Sequence, residues 1–142
     1  MPRRPPVDDV VVDTSAVMAF LLGEPSGAAI GRVLDRARSP IMSAVTFTEL
    51  LIVAEGRGGP GGSDRARKFV VDTDVGIIPV DHHASMVAFD AWHAFGKGRH
   101  PAALNFGDCF SYALAMHFEL PLLCVGNDFA RTDLMIVDLA AA

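Results

Sequence analysis

The run Val10-Val11-Val12, closing on Asp13 and leading straight into Thr14-Ser15-Ala16, restricts the fold more than any other stretch. Three consecutive β-branched apolar residues read as a short strand buried on both faces, as in the middle of a parallel sheet. Asp13 then stands at the strand's end. Ligands of open α/β sheets gather just outside the carboxyl ends of the strands, so an acid here sits where chemistry usually sits. Thr14 and Ser15 are the expected caps of a helix carrying Ala16, Val17, Met18, Phe20, Leu21 and Leu22.

The same alternation continues to the end of the chain. A helix is predicted from Pro25-Ser26 to about Arg38, a brief strand at Pro40-Ile41-Met42, and a helix from Ala44 to Glu55 capped by Ser43. Gly56 to Gly62 holds five glycines in seven residues and reads as a mobile surface loop; no Lys-Ser/Thr follows, so it fits no phosphate-binding fingerprint. A helix over Asp64 to Asp72 comes next, then Ile77-Ile78-Pro79-Val80, whose proline marks an edge strand or a strand terminus. Asp81 begins a helix from His82 to Phe95, and Gly96 to Pro101 reads as a flexible basic loop. Asn105 to Phe118 is helical in pattern, with strands at Leu122 to Val125 and Met135 to Val137. Strands alternating with helices give an α/β fold with a mainly parallel sheet.

At 142 residues, 51% hydrophobic and 20% charged, the chain fits one compact domain over residues 10–142. Residues 1–9, with Arg3 and Arg4 but no apolar segment directly behind them, read as a flexible tail and not a signal peptide. No apolar run reaches the length of a membrane span, because Gly23-Glu24-Pro25 interrupts the first helix. Cys109 and Cys124 lie in apolar stretches and read as reduced core residues of a cytoplasmic protein. The absence of CxxC and HExxH spacings removes the usual zinc signatures. A formal charge of −5 argues against binding polyanions through bulk charge. Thirteen of the acids are Asp and four are Glu, however, and several fall at the ends of elements, where bound divalent cations would offset them.

Three further acids are out of place. Glu49 lies in Val45-Thr46-Phe47-Thr48-Glu49-Leu50-Leu51, a helix apolar nearly all round, and Asp108 lies early in the similar helix Phe106-Gly107-Asp108-Cys109-Phe110. Asp128 follows the strand Leu122 to Val125. For Asp108 an ordinary role exists, since an acid in a first turn favours the helix dipole by roughly 0.3–1 kcal/mol. Glu49 is harder to explain that way. A lone buried carboxylate is costly, and no Arg or Lys lies between Pro40 and Glu55 to pair with it. Should the four acids converge, repulsion dominates: two charges 4 Å apart at an effective dielectric of 20 repel by about 4 kcal/mol. A divalent cation relieves that, and hard oxygen donors without His or Cys suit Mg²⁺ or Mn²⁺.

Asp13-Thr14-Ser15-Ala16, Thr48-Glu49-Leu50-Leu51, Asn105 through Ala115 and Gly126-Asn127-Asp128-Phe129 with Thr132-Asp133, in that order, resemble a PIN-domain ribonuclease. The likeness is nearest to the VapC toxins of toxin–antitoxin pairs and covers about Val10 to Ala140. It implies a single three-layer α/β/α domain around the parallel sheet. It also implies a metal-dependent endonuclease for single-stranded RNA, with Asp13, Glu49, Asp108 and Asp128 as catalytic residues and Mg²⁺ or Mn²⁺ ligands. Ser15 and Asn105 match polar positions that support such a site. A homodimer and a cognate VapB-like antitoxin are further implications. Many relatives carry two acids before the phenylalanine matching Phe129, whereas Asn127 replaces the outer one here, so Asp128 holds a metal either directly or through water.

Metal-assisted hydrolysis needs no protein nucleophile, in keeping with the lack of a Ser-His or Cys-His arrangement. His82, His83, His93 and His117 read as solvent-facing or core residues, being remote in sequence from the acid motifs. Lys97, Arg99 and His100, with Arg57 and Arg131, are candidate RNA phosphate contacts, or else ordinary solvated loop charges. A phosphoryl-accepting Asp enzyme would want a second acid two residues after the first, where Ser15 stands, or a late lysine, and none follows Lys97. The remaining rival is a catalytically idle RNA- or protein-binding module on the same fold.

Overall fold

The structure is a computed structural model that describes residues 9–142. The expected tail lies outside the described residues apart from Asp9. Four strands, β1 (Val11–Val12), β2 (Ile41–Ser43), β3 (Gly76–Ile78) and β4 (Leu122–Leu123), form one sheet in the order β3-β2-β1-β4. Every pairing is parallel, with Val11 opposite Ile41 on one side and Leu122 on the other. Six helices complete the fold: α1 (Thr14–Leu21), α2 (Gly27–Arg36), α3 (Ala44–Gly58), α4 (Gly62–Asp72), α5 (His82–Phe95) and α6 (Phe106–Phe118). Single 3-10 turns follow at Phe129–Arg131 and Leu139–Ala141.

The valine run divides the interior in two. Side chains alternate across a strand, so Val10 and Val12 join Val17, Ile30, Leu50 and Phe69 in a core roofed by α1 to α4. Val11 enters the opposite core with Ala88, Leu104, Tyr112 and Leu114, under α5 and α6. These are the three layers expected. Each helix that follows β1, β2 or β3 starts on a polar cap: Asp13, not Thr14 or Ser15, caps α1 by accepting from Ser15 N, because the helix already begins at Thr14, while Ser43 accepts from Val45 N and Asp81 from Ala84 N. No helix among the described residues is long and apolar enough to cross a membrane.

Four local expectations need correction. Helix α3 does not stop at Glu55 but runs to Gly58, and α4 begins at Gly62, so the glycine-rich loop shrinks to residues 59–61. The cause is close helix packing: a Cβ on Gly62 would overlap Ala54 O. Helix α2 ends at Arg36, because the approach to Pro40 disfavours helical backbone. The basic segment 96–101 is pinned by its own backbone, with Lys97 N donating to Leu104 O and Leu104 N to Phe95 O. The last expected strand is reduced to a single parallel bridge, Ile136 to Leu122. The proline reading of the third strand holds, since β3 is an edge strand and ends just before Pro79. Both cysteines are buried and free.

Candidate active site

The chain steps outward from β1 to β2 to β3, then returns to the other flank of β1 as β4. The carboxyl ends of β1 and β4 therefore border a topological switch point, the usual crevice for ligands in a parallel sheet. Asp13 stands at its rim, 3% exposed. Two bonds tie the strand ends together there: Asp13 N donates to Leu123 O at 3.0 Å, and Val125 N donates to Ser15 Oγ at 3.0 Å.

A chain of hydroxyls fixes the carboxylate of Asp13. Its Oδ2 accepts from Ser15 N at 3.1 Å and Ser15 Oγ at 2.7 Å, and its Oδ1 accepts from Ser111 Oγ at 2.7 Å. Ser111 lies 3.1 Å from Thr46 Oγ1. With the one proton of Ser111 given to Asp13, Thr46 must be the donor in that contact. Thr14 Oγ1 donates at 2.6 Å to Glu49 Oε1, linking the first helix to the second acid. Ser15 was expected to support the site, but Thr14, Thr46 and Ser111 were not singled out. Their signal was a small hydroxyl in an otherwise apolar helical run, which buries at little cost only when bonded.

Glu49 reaches the crevice from α3 and rests against the backbone of Gly107, where a Cβ would overlap Glu49 Oε2. Burial raises its pKa, opposed by the Thr14 bond and reinforced by the charge of Asp13. Asp108 lies in the first turn of α6 within a reciprocal capping box: Asp108 N donates to Asn105 Oδ1 at 2.9 Å, and Asn105 N donates to Asp108 Oδ2 at 3.0 Å. The ordinary capping role is thus real, and it positions the acid. Burial pushes the Asp108 carboxyl up to about 7, against the pull of the Asn105 bond, and the charges of Asp13, Glu49 and Asp128 add to the rise. The charges of the other three acids thus reach Asp108, and that of Asp13 reaches Glu49. Asp128, exposed, starts the turn at Phe129–Arg131 without using its side chain as a cap.

The chemistry of the donor set fits a hard cation. The four acids offer hard carboxylate oxygens, and none of them takes part in the ion pairs Arg57–Glu24 and Lys68–Asp72. The nearby thiols are raised by burial first and then by these carboxylates, Cys109 to about 11 and Cys124 to about 12, so both stay neutral and poor ligands at pH 7. Among the described residues no three such groups already close around a metal position.

The basic candidates are dispersed. Arg57 is eight residues beyond Glu49 on α3, about 12 Å of helix rise, and faces Glu24. Arg99 stacks over Trp92 at 5.0 Å and donates to His93 O, and Arg131 donates to Pro101 O. Lys97 borders a cleft between α5 and α6. His82, His83, His93 and His117 face solvent, while His100 Nδ1 accepts from Ala102 N.

Comparison with known proteins agrees with this geometry. The PIN domain family matches residues 10–134. A ribonuclease named VapC36 from Mycobacterium tuberculosis is 45% identical over 129 residues, 88% of this chain and 91% of its own. A ribonuclease VapC of Mycolicibacterium smegmatis is 40% identical, covering 90% of this chain and 99% of its own. Among solved structures, VapC20 of Mycobacterium tuberculosis, described as a sarcin-ricin loop cleaving toxin, has a TM-score of 0.74 at 18% identity, over 90% of this chain and 98% of that one. VapBC-1 from nontypeable Haemophilus influenzae has a TM-score of 0.67 at 20% identity, over 93% and 98%. The solved structures bear on the fold, and the curated relatives carry the family: the chain belongs to the PIN domain family and, within it, to the VapC ribonucleases.

Proposed function

We propose that the chain is a Mg²⁺- or Mn²⁺-dependent endoribonuclease that hydrolyses single-stranded RNA in the cytoplasm, as the toxin of a toxin–antitoxin pair. Asp13, Glu49, Asp108 and Asp128 are its metal-holding and catalytic residues, Ser15 and Asn105 orient them, and Lys97, Arg99, Arg57 and Arg131 contact RNA phosphates. The observation that carries this reading is Asp108, whose carboxyl feels three other carboxylates at the mouth of the switch point. When bound, the cation polarises the phosphate and activates water. The protein's own part is positioning. Ser15 and Ser111 aim Asp13, Thr14 aims Glu49, and the capping box aims Asp108, which would hold a cation in its ionised form.

Purified protein incubated with RNA in Mg²⁺ should produce defined ends on sequencing, and none in chelator. Uncut RNA under both conditions would favour the idle binding module. Because the cation binds only the native state, the melting temperature should climb with Mn²⁺, by about 2.7 kcal/mol of stability at a hundredfold excess over Kd; a flat melt to millimolar Mn²⁺ rejects the metal site.

Gly107→Ala tests the seat of Glu49. The new Cβ displaces only the far end of a flexible side chain, and alanine favours the helix by up to about 1 kcal/mol. Urea melts should show unchanged or slightly raised stability while cleavage drops at least tenfold. Equal cleavage would free Glu49 of its assigned place.

The antitoxin proposal rests on the family and on solved relatives described as VapBC assemblies. Phe20 and Leu22, 42% and 39% exposed at the end of α1, suit an apolar helix face laid against them. A homodimer belongs to the same proposal. Expression alone should arrest growth, and a co-encoded small protein should restore it and co-purify.

A further inference from the structure

Phe106 stands 74% exposed, one residue from buried Gly107 and two from Asp108. It separates two clefts. One, of about 510 Å³, lies between α5 and α6, walled by Phe89, Trp92, Leu104 and Phe110 with Lys97 at its border. The other, of about 600 Å³, is bounded by Phe106, Gly107, Glu49 and Ile52 of α3. A ring left in water at this place has large unmet apolar surface, and Phe110 supports it edge-on at 5.1 Å.

We propose that the cleft between α5 and α6 receives an unpaired nucleobase of an RNA strand, stacked on Phe106, while the ribose-phosphate chain passes Asp108. Charge and continuity favour this occupant. A nucleotide couples a flat apolar ring to an anion, and this cleft couples aromatic walls to Lys97, with Arg99 held on the Trp92 ring. Asn105 and Phe106 border both clefts, so a base seated in one places its neighbouring phosphate at the other, which Glu49 lines. Few polar groups line the base cleft, which makes it tolerant of base identity. A base stacked inside a duplex offers no free face to it. The identity of the strand rests on the ribonuclease reading above.

The probe is a fluorescein-labelled, randomised 12-nucleotide single-stranded RNA with phosphorothioate linkages, titrated by anisotropy in Ca²⁺ buffer. Phe106→Ala should weaken binding about tenfold, with Phe106→Trp restoring it and a duplex of the same length insensitive to both. Melting temperature and sedimentation should be unchanged, since the side chain is exposed. Binding indifferent to Phe106, or absent in the unmodified protein, overturns the proposal. So does a change of oligomeric state in Phe106→Ala, which would assign the aromatics to a second copy of the chain. Phe106-dependent binding without any RNA cleavage in Mg²⁺ would keep the cleft and reject the ribonuclease reading. Cleavage with Phe106-independent binding would do the reverse.

Discussion

Asp108→Asn should lower RNA cleavage about a hundredfold or more while making the metal-free protein more stable at pH 8. The two effects share one cause. Asparagine keeps an oxygen for Asn105 N, so the capping box survives, but it removes the charge that burial and three other carboxylates oppose. The sign with pH follows from the raised carboxyl. Between the unfolded value near 4 and the folded value of about 7, the native state binds more protons than the unfolded one, so stability falls as pH rises through that window and levels off above it. Each unit is worth at most about 1.4 kcal/mol, and partial exposure of Asp108 reduces the sum to on the order of 1–3 kcal/mol. Urea melts in chelator from pH 4 to pH 8 should show that decline in the parent and a flatter profile in Asp108→Asn. Saturating Mg²⁺ should stabilise the parent at pH 8 and the variant much less. Retained cleavage with lowered stability would reduce Asp108 to a helix cap.

The second large effect concerns stability alone. Gly62→Ala should cost about 3 kcal/mol, because the new Cβ falls on Ala54 O and its carbonyl carbon, and backbone cannot rotate out of the way as a side chain can. Helices α3 and α4 must separate along the core that contains Leu50 and Ala66. Gly56→Ala, six residues earlier, should do the opposite. Gly56 is helical, and a Cβ there meets nothing within 4 Å, so alanine should stabilise by about 0.5–1 kcal/mol. Denaturant melts of the two variants side by side check the contrast. Equal effects would mean that the helix pair is loosely packed.

That pair of glycines shows where sequence reasoning stopped. Five glycines in seven residues lower helix propensity, and propensity alone reads them as loop. What holds α3 to Gly58 is α4 pressed against it, an interaction between segments that no local pattern expresses. The same holds for the segment 96–101, whose anchors include Leu104 and, through Pro101, Arg131. By contrast, the three valines carried their own answer, because period-two alternation and burial on both faces are local properties. The acids were visible as charges in apolar runs, whereas the capping box of Asn105 and Asp108 was read only as an acid in a first turn and a supporting polar position. The hydroxyls of Thr14, Thr46 and Ser111 stood out only as small polar groups in apolar runs, and no local pattern gave their partners: the carboxylate that Ser111 bonds lies 98 residues away in the chain.

The strand order also sets a schedule for the chain's synthesis. Asp13 leaves the ribosome early, but β4, which flanks it, begins only at Leu122 of 142 residues. Until β4 has docked, β1 lacks one neighbour and Ser15 lacks the amide of Val125. The crevice is thus completed by the last strand of the sheet, and a chain folding from its amino end carries Asp13, Glu49 and Asp108 before it has the neighbour that closes β1.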